Sequence, residues 1–160
     1  MKKSELSKMT CSLAAALEAV GDAWTLLIVK ELMLANRRFE GIQAQTGMSS
    51  NSLTSRLKAL AKAGIVERQQ YLQRPPRCEY RLTKKGEALW PVLVSLTNWG
   101  DQFARRGEPP LRFVHKACGD DAGPKYVCAH CGDSVSPRDV RASQSAAMVR
   151  DRCRRSVARE

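Results

Sequence analysis

Histidine occurs only twice in these 160 residues, aromatic side chains make up 6%, and the 16 acidic residues are outnumbered by 27 lysines and arginines. There is no glycine-rich phosphate loop, and neither half of the zinc-deaminase signature, a His-x-Glu followed by Pro-Cys-x-x-Cys, is present. An enzyme is therefore not expected. Apolar runs stay far below the ~20 residues that cross a bilayer, so no membrane partner is expected. The opening MKKSELSKMTCSLAAALEAV sets lysines before an apolar stretch, but Glu5, Glu18 and Asp22 interrupt the region and no small-residue cleavage site follows. That is not the pattern of a signal peptide, and the expected location is cytoplasmic. There the 6 cysteines read as thiols, metal ligands or redox switches rather than structural disulfides.

What the chain does have is positive charge. The formal net charge is +11 and the sequence pI is near 9.8. Residues 37–86 hold 11 basic and 3 acidic side chains, and 11 − 3 = +8 of the total sits in that segment. Such a surplus calls for a polyanionic partner. A hydrophobic share of 43% suffices for a packed core, and the length suits one domain or a small domain with an appendage that needs its own staple.

The pattern predicts mainly α structure with a small β-hairpin. In SLAAALEAV, Leu13, Leu17 and Val20 recur at helical spacing, with Thr10 or Ser12 able to cap the first turn. AWTLLIVKELML places Trp24, Leu27, Ile28 and Leu32 on one face of a second helix. Arg37 and Arg38, expected DNA contacts, open a short third helix, FEGIQAQT, closed by Gly47. MSSNSLTSRLKALAKAG then gives a fourth, with Ser49 or Ser50 as its cap and Leu53, Leu57 and Leu60 as its apolar stripe. A turn of about three residues between the last two makes a helix-turn-helix. IVERQQYL and RCEYRLT read as strands joined by QRPP, a hairpin with a basic tip at Arg74 and Arg77.

Opposite its leucine stripe the fourth helix carries Ser50, Asn51, Ser52, Ser55, Lys58 and Lys62, with Thr54 and Arg56 at the margins. Small polar side chains let the backbone approach base edges, while Asn and Arg supply bidentate contacts worth roughly 1–3 kcal/mol of discrimination each. Every amphipathic helix has a solvated face. Here, however, the face is cationic, the turn is tight and a basic hairpin follows, which is the order of a winged helix binding double-stranded DNA.

Residues 11–103 resemble the HxlR-type winged-helix regulators. The likeness lies in CSLAAALEAVGDAWTLLIVKEL, RRFEGI, SSNSLTSRLKALAKAGIVER and PPRCEYRLTKKG. It implies a homodimeric transcription regulator, in most members a repressor, with an oxidant or small molecule as candidate effector. In some members the cysteine at the position of Cys11 senses electrophiles or oxidants. Members commonly follow that cysteine with proline, where this chain has Ser12. Cys11 also precedes a helix and lies near Lys8, a setting that favours thiolate; a buried small hydrophobe is the alternative.

From Lys84 to Arg106, Leu89, Leu93, Leu96 and Phe103 form one stripe with Trp90 and Trp99 beyond it, and Pro91 should kink or restart the helix. That is more apolar surface than one small core needs, so these six residues are the expected dimer interface as well as part of the domain's own core. In HKACGDDAGPKYVCAHCG, His115, Cys118, Cys128 and Cys131 form two pairs, each spaced by two residues and followed by glycine. Four such ligands suit one closed, structural zinc site. A redox CxxC would need a strand-helix-strand context, and the cysteines could also be buried hydrophobes. The sequence thus divides into a winged helix-turn-helix domain at 1–108, a zinc-ribbon-like segment at 109–142, and a basic tail at 143–160 expected as a frayed helix or disorder. The rival reading is a basic zinc-ribbon protein that binds RNA or a partner protein in a structural role. Cys78 and Cys153 receive no role.

Overall fold

The computed structural model describes residues 6–74 and 76–157. In chain order the elements are α1 (Ser12–Val20), α2 (Ala23–Met33), α3 (Phe39–Thr46), α4 (Ser50–Lys62), β1 (Val66–Gln73), β2 (Pro76–Leu82), α5 (Lys84–Glu87), α6 (Trp90–Trp99), a π-helical turn (Gly100–Ala104) and α7 (Ala146–Val157). Among the described residues no single helix is long and apolar enough to cross a membrane.

The chain forms two compact units, Asp22–Pro124 and a second made of Met1–Gly21 with Lys125–Glu160. In the larger unit, Ile28, Val29, Ile42, Leu53, Leu57 and Leu60 are almost completely buried. Each such side chain contributes about 1.5–3 kcal/mol on leaving water. The leucine stripe of α4 is therefore the element's anchor, and its opposite face is left to solvent. On α2 the buried set is Thr25, Ile28, Val29, Glu31 and Leu32, whereas Trp24 and Leu27 stay partly exposed. The inward arc is rotated from the one expected, with Ile28 and Leu32 kept inside and Trp24 and Leu27 turned outward.

The turn between α3 and α4 is Gly47, Met48 and Ser49, with Gly47 at φ +70°, a conformation that glycine adopts without strain. Ser49 caps α4 by accepting a hydrogen bond from the backbone N–H of Ser52. Strands β1 and β2 pair antiparallel from Val66 with Leu82 to Gln73 with Pro76, and a bulge interrupts the register between Gln70 and Leu72. Pro91 falls in the first turn of α6 and the preceding α5 stops at Glu87, so the proline restarts the helix as expected. Leu93 is buried at 7% exposure and belongs to the unit's own core, one of the two uses expected of that stripe. Leu89 is half-buried.

In the smaller unit α1 and the residues just before it group with the C-terminal segment, and Ala146–Val157 of the tail are helical. The reason is a polar clasp: the Asp151 carboxylate accepts from the backbone N–H of Thr10 at 3.1 Å, and Arg155 donates to the carbonyl of Lys8 at 2.8 Å while also holding Asp151. These hydrogen bonds, from Arg155 first and Thr10 second, keep the Asp151 carboxyl below the ordinary aspartate range. The α1 cap also differs: the N-cap is Cys11, which makes no side-chain capping bond, and neither Thr10 nor Ser12 takes that place.

Candidate nucleic-acid interface and cysteine knuckles

Ser50, Asn51, Ser52, Thr54, Ser55 and Lys58 are all exposed on α4. Two interactions set this face. Gln43 of α3 donates through one amide to the carbonyl of Met48 at 3.2 Å and to the Ser50 hydroxyl at 2.9 Å, locking the turn onto α4. Nothing in the spacing of FEGIQAQT marks Gln43 for that role. The Ser49 hydroxyl meets that of Ser52 at 3.0 Å. Arg56 is placed differently from its neighbours: its Nε lies 3.2 Å from Asp22 Oδ1, buried and without an aligned hydrogen bond. This margin residue is turned toward α2 rather than presented with the polar face, because Asp22, the N-cap of α2, lies within its reach.

The chain between α2 and α3 forms a third rung of the hairpin. Ala35 takes φ +61°, unusual for a residue with a side chain, and the turn allows Asn36 to donate to the carbonyl of Glu31 at 3.0 Å. Glu31 is buried, which pushes its carboxyl up, but hydrogen bonds from Asn36 and Lys30 and the charge of Lys30 outweigh burial and leave it below the ordinary glutamate value. Beyond the turn, Tyr80 donates to the carbonyl of Arg37 at 2.8 Å and Arg38 bridges to Glu79. Arg37 and Arg38 therefore stand beside the wing rather than merely ahead of α3. Arg74 is exposed at the hairpin tip. Arg77 lies lower on β2 and, with Arg37, Arg38, Lys58, Arg68 and Tyr71, lines a groove of about 1180 Å³. Arg68 and Tyr71 escaped the sequence reading because only strand register and the bulge reveal which way they face.

Each cysteine knuckle is built alike. In the first, the His115 N–H donates to the Asp120 carbonyl at 2.8 Å, the Gly119 N–H to His115 at 2.8 Å, and His115 Nδ1 lies 3.2 Å from Cys118 Sγ. In the second, Cys128 N–H donates to Asp133 at 2.8 Å and Gly132 N–H to Cys128 at 2.9 Å. Gly119 and Gly132 have φ of +76° and +80°. Isolated bridges, Val114 with Asp121 and Val127 with Ser134, flank the two turns at equivalent positions. Backbone N–H groups of Cys131 and His130, then the Cys131 thiol, hold the Cys128 thiol below its ordinary value. Among the described residues no group of three or more His, Cys, Asp or Glu side chains is arranged to hold a metal ion. Cys11 is half-buried.

A short helix pair with a three-residue turn, an exposed polar recognition face and a two-stranded wing define a winged helix-turn-helix protein. A family model for HxlR-like helix-turn-helix proteins matches residues 19–108, and the chain belongs to that family. It is 41% identical over 130 residues to the HTH-type transcriptional regulator Rv3095 of Mycobacterium tuberculosis, covering 81% of this chain and 82% of the relative. The crystal structure of PA1607 is similar with a TM-score of 0.79 at 30% identity, covering 88% of this chain and 99% of that one. The redox regulator HypR in its reduced form gives a TM-score of 0.54 at 28% identity over 57% of this chain and 92% of HypR. The chain is thus a transcriptional regulator of the helix-turn-helix type, and not an enzyme.

Proposed function

We propose that the protein is a homodimeric repressor that reads an operator in duplex DNA through α4, with Asn51 and the small residues around it at the base edges. The observation that carries this is the exposed face from Ser50 to Lys58, held outward by the complete burial of Leu53 and the near-complete burial of Leu57 and Leu60. Asn51→Ala should reduce preference for the selected operator over random duplex by about 1–3 kcal/mol, roughly 5- to 150-fold, measured by fluorescence anisotropy at fixed salt. Equal losses on both duplexes would remove the recognition-helix assignment.

Dimerisation is supported by an exposed apolar strip on α6 and the turn after it: Trp90, Val92, Leu96, Trp99 and Phe103 are 40–70% exposed, more than an isolated surface tolerates without a partner. Repression is the mode implied by the family resemblance. Oxidant sensing is supported by the position of Cys11 and by the likeness to HypR, itself a redox regulator. Mild diamide should release DNA from the native protein and leave Cys11→Ser bound, since the thiolate is the attacking species. Identical release from both would return Cys11 to a packing role.

The two knuckles suit a single structural zinc held by His115, Cys118, Cys128 and Cys131. The support is the matched turn geometry of each pair and the thiolate-favouring N–H groups at Cys128. A closed four-ligand zinc would stabilise its segment without offering an open position for chemistry.

A further inference from the structure

The groove between α4 and the wing has a strongly biased lining. Five cations, Arg37, Arg38, Lys58, Arg68 and Arg77, face it against two carboxylates, Glu40 and Glu79. Glu79 is already engaged by Arg81, with Nε at 2.8 Å. An unneutralised cluster of this kind is a cost in the free protein, since like charges repel, and is repaid when an anion enters.

Register explains how the lining is assembled. Arg68 pairs with Tyr80 and Gln70 with Cys78, so Arg68, Tyr80 and Cys78 share one sheet face. Tyr71 would alternate to the opposite face. The bulge between Gln70 and Leu72 re-aims it into the groove, where its ring lies 5.6 Å below the Arg38 guanidinium. That stacking holds a flexible arginine in place without consuming its hydrogen-bond donors.

We propose that this groove is a phosphodiester site that takes one backbone strand of the duplex, with Arg68 as a direct phosphate contact and Tyr71 as the positioning residue for Arg38. This rests on the DNA-binding reading. The base-reading face of α4 begins at its N-terminal turn, and the groove lies on the side of the same helix that carries Lys58. A strand leaving the major groove would be gripped there, at the base of the wing rather than at Arg74.

The test measures binding to operator and random duplexes across a salt series, using native protein, Arg68→Gln, Tyr71→Leu and Tyr71→Phe, with Lys84→Gln as an equal charge change outside the groove. Arg68→Gln should weaken both duplexes by the same factor and lower the slope of log affinity against log salt by about one, while Lys84→Gln leaves the slope unchanged. Tyr71→Leu should weaken both duplexes and Tyr71→Phe should restore them, with unchanged thermal unfolding in each. If native protein binds duplex but Arg68→Gln keeps the native slope, the groove proposal is overturned and the DNA reading stands. If native protein binds no duplex at low salt, the DNA reading itself fails. Adenosine monophosphate, titrated by nuclear magnetic resonance, forms the second arm: saturable binding lost in Arg68→Gln, with duplex slopes unaltered, would assign the groove to a free phosphate ester and overturn the strand assignment.

Discussion

Arg56 Nε lies 3.2 Å from Oδ1 of Asp22, the residue that also caps α2 by accepting from the backbone N–H of Thr25. One carboxylate thus starts α2 and anchors α4. Asp22→Ala removes the cap, worth about 1 kcal/mol, and leaves Arg56 without its partner; a total loss of about 1–3 kcal/mol in denaturant unfolding is expected. Arg56→Ala should cost less, and the double variant less than the sum of the two. Base preference should survive Arg56→Ala, and a shifted operator preference would show that Arg56 leaves Asp22 on binding DNA.

The strip ending in Trp99 and Phe103, whose ring centroids lie 6.0 Å apart, predicts a second effect. Trp99→Lys places a charge in the centre of the proposed dimer surface, so light scattering should show monomers where the native protein is dimeric, together with poorer operator binding. A native protein that is already monomeric at micromolar concentration removes the dimer from the proposal.

Protein purified under reducing conditions without chelator should contain about one zinc per chain. Cys128→Ser should lose it and become sensitive to protease within residues 111–140, because metal binding supplies folding free energy on the order of 10 kcal/mol to such segments. The larger unit has its own core of Ile28, Ile42 and Leu53, and Cys128→Ser should keep duplex binding. Metal analysis that finds no zinc in the native protein would overturn the site.

Glu31 gives a pH dependence with a definite sign. Its carboxyl is held below the ordinary value by Asn36 and Lys30 despite burial. A depressed carboxylate contributes stability that is fully present above the unfolded value, about 4.3, and is lost as pH falls through the lower folded value. Denaturant midpoints should therefore drop between about pH 5 and pH 3, and Glu31→Gln should be less stable at pH 7 with a flatter acid limb. An unchanged acid limb in Glu31→Gln would place the effect on other carboxylates.

The elements that pack by simple periodicity were legible in the sequence. The α4 leucine stripe, the Gly47 turn and the restart at Pro91 all follow from local rules that tertiary contacts do not override. The site was legible only in part. The exposure of Asn51 and Ser55 could be read from helix geometry, but Arg56 turns inward because of Asp22, a residue 34 positions earlier, and Tyr71 enters the groove because of a bulge that leaves no compositional trace. Leu93 and Trp99 looked equivalent as apolar helix positions. Only the packing of the unit separates the buried leucine from the exposed tryptophan. The basic tail looked weakly periodic because α7 is held by a polar clasp, which a hydrophobic pattern cannot report.

That clasp also sets an order of events during synthesis. Thr10 and Asp151 are 141 positions apart, whereas residues 22–124, which carry α4 and the wing, leave the ribosome as one uninterrupted stretch. At about 5–20 residues per second, the N-terminal segment waits on the order of ten seconds for the helix that will hold it. The winged helix has time to close first, and Thr10 spends that interval in a nascent chain without its bond to Asp151. The tie between the start of the chain and α7 is therefore a late-acquired state, reached only when that helix has been made.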